Sequence, residues 1–182
     1  MAVPTVAPPL SQLPNALTVA RFGLIPAFVV LVLAADRGHS WAAAAIFGAA
    51  AITDQVDGYL ARRWRVESEF GKYADPLADR LMIDAAVVLL WLEDRLPWAA
   101  LAIILARDAV LVGGSRFAIA RGYTFEVSFL GKTATWILYA SLVCVLATTA
   151  SSDWPLWLFW SGLGLAALAG LDYVARVLRR PR

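Results

Sequence analysis

Residues 41–94 read WAAAAIFGAAAITDQVDGYLARRWRVESEFGKYADPLADRLMIDAAVVLLWLED, and the order of polarity along that run decides how the chain folds. Residues 41–61 begin as an apolar helix and become polar at their end, whereas residues 77–94 begin polar and become apolar. A spanning helix needs about 20 mostly apolar residues. Both stretches therefore count as membrane spans, with their polar ends meeting across a short loop. Those polar ends hold Asp54, Asp57, Asp75 and Asp79.

Working outward, residues 16–35, 98–120, 133–150 and 155–175 are clear spans,. The chain is thus expected to be an all-α integral membrane protein of six transmembrane helices. Composition agrees: of 182 residues 60% are hydrophobic and 16% charged, with a mean hydropathy of +0.66, more apolar surface than a soluble domain of this length can bury,. Residues 1–14 are proline-rich and read as a flexible or interfacial lead, residues 15–178 as one six-helix domain, and residues 179–182 as a basic tail,. The first apolar segment lacks a basic region before it, so it is expected to stay as helix 1 and not to be a cleaved signal.

Six spans place both termini and the loops after helices 2 and 4 on one side. Every Lys and Arg except Arg37 and Arg95 lies there or in helix ends leading there. By the positive-inside rule both termini and the four acids face the cytoplasm, in the cell membrane, and Trp41, Trp98, Trp154 and Trp157 sit near the opposite interface. A net charge of +2 without a basic, aromatic-interleaved surface excludes nucleic acid as a partner,. Cys144 is the sole cysteine, so neither a disulfide framework nor a thiolate metal site forms within one chain,. The sole histidine, His39, falls in the outer loop and reads as an ordinary loop residue,.

Helical residues three, four and seven apart share a face. Asp54, Asp57, Gly58 and Ala61 form one such stripe, two carboxylates beside two small residues. Asp75 and Asp79 are also adjacent, on a helix entered through Pro76 as its first residue or slightly broken there. Acids near membrane depth cost about 2.5–3.5 kcal/mol each at a central position, so something must neutralise them. Arg62, Lys72 and Arg80 can pair with some; clustered carboxylates without imidazole or thiolate match hard divalent cations, Mg²⁺ or Mn²⁺. Two such ions suit a diphosphate. A single Asp here would read as a solvated loop charge, as Glu67 and Glu69 do, but four at this spacing do not. Asp84 lies four residues beyond Arg80 and is expected to pair with it.

The pattern Asp54-x2-Asp57-Gly58-x2-Ala61-Arg62-x8-Gly71-x3-Asp75-x3-Asp79 resembles, position for position, the signature of the CDP-alcohol phosphatidyltransferase family,. Eight fixed residues make the match specific, and the six-helix reading agrees with that family's fold. The resemblance implies a donor, CDP-diacylglycerol, attacked at its lipid-bearing phosphorus by an alcohol, with release of CMP. It implies that Asp54, Asp57, Asp75 and Asp79 hold the metal ions, that Asp79 also takes the proton of the attacking hydroxyl, and that Asp57, Gly58, Ala61, Arg62 and Gly71 line the nucleotide. Whether Asp79 acts as base, ligand or both stays open. The family also suggests a homodimer.

The stretch "LPNALTVARFGLIPAF" resembles the opening shared by the phosphatidylglycerophosphate synthases and cardiolipin synthases of this family, both with glycerol-phosphate-like acceptors, while "ARDAVLVGGSRFAIARGY" and "SFLGKTATWILY" resemble the cardiolipin synthase branch. With Asp108 following Arg107, the favoured acceptor is phosphatidylglycerol, giving cardiolipin; the alternative is glycerol 3-phosphate. Arg107, Arg116, Ser128 and Lys132 are the candidates for gripping the acceptor phosphate. The phospholipase D-like route to cardiolipin needs paired histidines and is excluded by the single His39. The rival from another class is a small cation transporter, which needs charges along a path through the bilayer; the middles of helices 1, 5 and 6 are nearly free of them.

Overall fold

Each expected span forms a helix. The computed structural model describes residues 13–64, 69–120 and 129–179, and among them are six α-helices: α1 Leu13–Leu33, α2 Trp41–Trp64, α3 Glu69–Leu92, α4 Trp98–Ala120, α5 Phe129–Ala147 and α6 Trp154–Arg179. A single 3₁₀ turn, Asp36–Gly38, links α1 to α2. The helices run past the apolar limits at several ends, because hydropathy marks where a segment stops being greasy while Ala, Leu, Arg and Lys continue to favour helix. α2 therefore continues through Arg62 and Arg63 to Trp64. α3 starts at Glu69, ahead of Lys72.

Two expectations are corrected here. Pro76 is not the first residue of its helix but lies within α3, and Glu69 opens α3 instead of sitting in a loop.

Among the described residues, Phe129–Ala147 and Trp154–Asp172 are apolar and long enough to cross a membrane throughout. Within α1 and α2, Val19–Leu33 and Trp41–Asp54 are also apolar stretches. Large apolar side chains face outward on several helices, among them Val30, Ile52, Val110, Trp136 and Leu168. An exposed apolar exterior of this kind is what a lipid-facing bundle presents.

Helix α1 packs on α2 and α3, α2 packs on α5, α5 pairs with α6, and α4 bridges α3 and α6. At the centre, the rings of Phe28, Phe47 and Tyr139 join α1, α2 and α5, with centroids 5.5 Å apart in each pair. Such tilted contacts suit the ring quadrupoles. Buried Ala43, Ala44, Ala50 and Ala51 let the backbone of α2 come close to its neighbours,. Gly162 does the same for α6: a Cβ there would lie 2.9 Å from Ile137 Cγ2 and 3.1 Å from the Leu138 nitrogen.

The bundle end opposite the acid-bearing ends of α2 and α3 is closed by Arg95, one of the two bases expected there. Its Nη2 donates to the carbonyl oxygens of Val145 at 2.8 Å and Thr148 at 2.9 Å, and its Nη1 to that of Arg37 at 3.3 Å. The Ser40 amide and His39 Nδ1 both donate to Leu146 O, at 2.9 and 3.2 Å. The last carbonyls of α5, which have no partner inside the helix, are thereby satisfied by two other loops. Burial holds the Arg95 guanidinium below its ordinary pKa, and that one group reaches all three carbonyls. Arg95→Ala is expected to cost about 3 kcal/mol, from lost charged hydrogen bonds and stranded carbonyls. A lower thermal midpoint in detergent, partly restored by Arg95→Lys, checks this; an unchanged midpoint refutes it.

Candidate active site

The four acids lie on the two helices that face the same bundle end. Asp54 and Asp57 are in the second half of α2, and Asp75 and Asp79 in the first half of α3. Because both segments are helical, the three- and four-residue spacings make each pair neighbours on one helix face. Both helices also pack against α1. The side chains of Asp57, Gly58, Ala61, Arg62, Gly71, Asp75, Asp79 and Arg116 lie outside the described residues, as does Ser128 altogether.

Asp54 shows what α1 contributes. Its Oδ1 is 2.8 Å from Nη1 of Arg21, with the two side chains 13% and 2% exposed. Arg21 is among the largest fully buried side chains of the described residues. From sequence it reads only as one more cytoplasmic-side base. The signal that marks it out is its setting, a lone cation within "LTVARFGLIPAF" with no acid on its own helix turn. An ion pair at this depth replaces hydration for both partners.

A second charged cluster lies between α3 and α4. Arg80 Nη1 donates to the main-chain oxygen of Asp108 at 3.3 Å. Arg107 Nε is 3.5 Å from Asp108 Oδ1, and the Asp84 carboxyl faces that of Asp108. Arg80 acts on Asp84 as expected, but at longer range than a salt bridge among the described residues, because α4 brings a carbonyl within reach of Arg80 and its own charges against Asp84. Arg107 Nη1 and Asp84 Oδ1 are buried without a hydrogen-bond partner.

Among the acceptor candidates, Arg107 therefore sits beside the helix that carries Asp75 and Asp79, tied to it through Asp108 and Arg80. Lys132 is exposed in the first turns of α5.

A helical bundle with an apolar exterior and two helices long and apolar enough to cross a membrane is the fold of a membrane-associated protein. Residues 11–168 match the family model described as CDP-alcohol phosphatidyltransferase, so the chain belongs to that family and is a transferase of phospholipid biosynthesis. It is 31% identical over 185 residues to the CDP-diacylglycerol--glycerol-3-phosphate 3-phosphatidyltransferase of Bacillus subtilis (strain 168), covering 91% of this chain and 94% of that one. It is 33% identical to a probable phosphatidylglycerophosphate synthase of Mycobacterium tuberculosis (strain ATCC 25618 / H37Rv), over 93% of this chain and 83% of the relative. With the glycerol-3-phosphate enzyme of Pseudomonas fluorescens it shares 36% identity, over 86% and 80% of the two chains.

Proposed function

We propose that this protein transfers the phosphatidyl group of CDP-diacylglycerol to the hydroxyl of glycerol 3-phosphate, forming phosphatidylglycerophosphate and releasing CMP. The observation that carries the acceptor is that these relatives, matched over most of their length, are named for glycerol 3-phosphate or its product. The phosphatidylglycerol acceptor expected from sequence gives way to it. That expectation leaned on Asp108, which is 9% exposed and faces Asp84 between two helices, a setting that suits packing of α3 on α4 more than contact with an acceptor.

In this reading Asp54, Asp57, Asp75 and Asp79 hold divalent cations. The donor set fits: carboxylate oxygens only, with Asp54 2.8 Å from Arg21, the chemistry that Mg²⁺ and Mn²⁺ prefer. When bound, the ions offset charge on the donor diphosphate and the departing CMP. Asp79 accepts the proton of the attacking hydroxyl as the new phosphorus–oxygen bond forms and the bond to the CMP oxygen breaks. Gly58, Ala61 and Gly71 leave room for the cytidine, Arg62 lies beside its phosphates, and Arg107, Arg116, Ser128 and Lys132 are the groups available for the acceptor phosphate. Arg107 is supported most directly, since its Nη1 is buried and without a hydrogen-bond partner.

The site is proposed to face the cytoplasm from a six-span bundle in the cell membrane. Trp41, Trp98 and Trp154 begin α2, α4 and α6 and are all exposed, with Trp157 one turn on. That ring at the end opposite the acids supports an interfacial aromatic belt on the far side.

The test is an acceptor screen. Purified protein with CDP-diacylglycerol and Mg²⁺ or Mn²⁺ is expected to release CMP with glycerol 3-phosphate, to do so poorly with phosphatidylglycerol, and to stop when the divalent ion is chelated. Release with phosphatidylglycerol alone reverses the acceptor assignment. Release with no alcohol at all refutes the proposal.

A further inference from the structure

We infer that Arg21 is a positioning residue for this reaction: from α1 it holds the Asp54 carboxylate in the orientation in which that group receives a divalent cation. The inference rests on the metal reading proposed above and extends it to a residue outside the acidic motif.

Three observations carry it. The Arg21 Nη1 to Asp54 Oδ1 distance is 2.8 Å, a close ion-pair contact,. Arg21 is 2% exposed, so its guanidinium is not reaching out to lipid headgroups in the manner of a positive-inside charge,. The pair also crosses from one helix to another, α1 to α2, so that it ties the carboxylate to a helix that carries none of the motif acids.

A purely structural role explains the pair less well. A buried ion pair is seldom more stabilising than well-packed apolar residues of similar volume. The surroundings on α1 are already apolar, with Phe28 and Val32 fully buried about two and three turns along the helix and Leu24 and Ile25 packed on the core. What an arginine supplies here, and a leucine would not, is a fixed partner for one carboxylate oxygen. A bound partner removes rotamers of Asp54 before the cation arrives. Groups that orient a metal ligand in this way characteristically change metal affinity by 10–100-fold when removed.

The experiment measures Mn²⁺ binding to the purified full-length protein in detergent, using the paramagnetic resonance signal of free Mn²⁺, with Mn²⁺ alone as the probe. The wild type is expected to bind. Arg21→Gln is expected to bind about 10–100-fold more weakly, with Arg21→Lys between the two. Asp54→Asn is also expected to weaken binding, and adding Arg21→Gln to it is expected to cause no further loss, because the effect of Arg21 passes through Asp54. If Arg21→Gln does not yield folded protein, Arg21→Lys, which keeps the charge and loses the fork, decides. Wild-type affinity in the folded Arg21 variants overturns the inference, and so does an equal loss whether or not Asp54 is present. A wild type that binds no Mn²⁺ overturns the metal reading itself, and the inference with it.

Discussion

Replacing Asp79 with asparagine is expected to lower CMP release by about 10²–10⁴-fold while leaving CDP-diacylglycerol binding near the wild-type level. Asparagine keeps the shape and polarity of the side chain but cannot accept a proton at neutral pH. The helix around it has reason to stay in place: the next residue, Arg80, donates to the Asp108 carbonyl oxygen at 3.3 Å and so pins that turn of α3 to α4. Asp57→Asn offers the contrast, since a lost metal ligand weakens divalent-dependent donor binding first. The measurement is donor binding at equilibrium alongside turnover with glycerol 3-phosphate. Near-normal turnover removes Asp79 from the role of base. If binding and turnover fall together, Asp79 serves chiefly as a ligand, because a carboxylate held tightly by two cations has little basicity left.

Asp54→Asn is expected to reduce stability as well as activity, by about 3 kcal/mol. The substitution takes a charge away 2.8 Å from a guanidinium that is 2% exposed, and breaking such a pair from one side costs more than the pair contributes. The asparagine oxygen can still accept a hydrogen bond, which keeps the effect at the low end of the range for broken buried pairs. Joint replacement by apolar residues separates the two consequences. Arg21→Met with Asp54→Leu is expected to recover most of the thermal stability and none of the CMP release. A single Asp54→Asn variant with an unchanged thermal midpoint would show that the pair carries no net stability in the membrane bundle.

Much of the bundle was legible because its signals are local. The starts of α2 and α4 at Trp41 and Trp98 follow directly from where apolar runs begin. The other ends were placed less well, α3 above all: its first turns, Glu69 through Tyr73, are polar, so hydropathy gave no reason to begin it there, and Pro76 argued for a boundary that the helix passes through. Asp84 was assigned to Arg80 by the four-residue helix rule, which considers one helix at a time; the competing groups, Arg107 and Asp108, come from α4. The acceptor is less legible for a related reason: the difference at Asp108 that favours phosphatidylglycerol is buried against Asp84, which makes that position a poor reporter of what binds at the membrane face.

By itself the sequence determined that the chain is an apolar bundle of helices and that Asp54 and Asp57, and Asp75 and Asp79, fall three and four positions apart on their helices, a spacing that helical periodicity assigns to one face whatever surrounds it. Tertiary structure alone decided which cation meets which anion. Arg21 reaches Asp54 from another helix, Arg80 finds a carbonyl 28 residues away, and Arg95 closes a helix end 50 residues away. In an apolar interior each charge must find some partner, but the composition of the chain leaves several candidates for each, and only the packing of α1 on α2, and of α3 on α4, brings one of them within hydrogen-bonding distance.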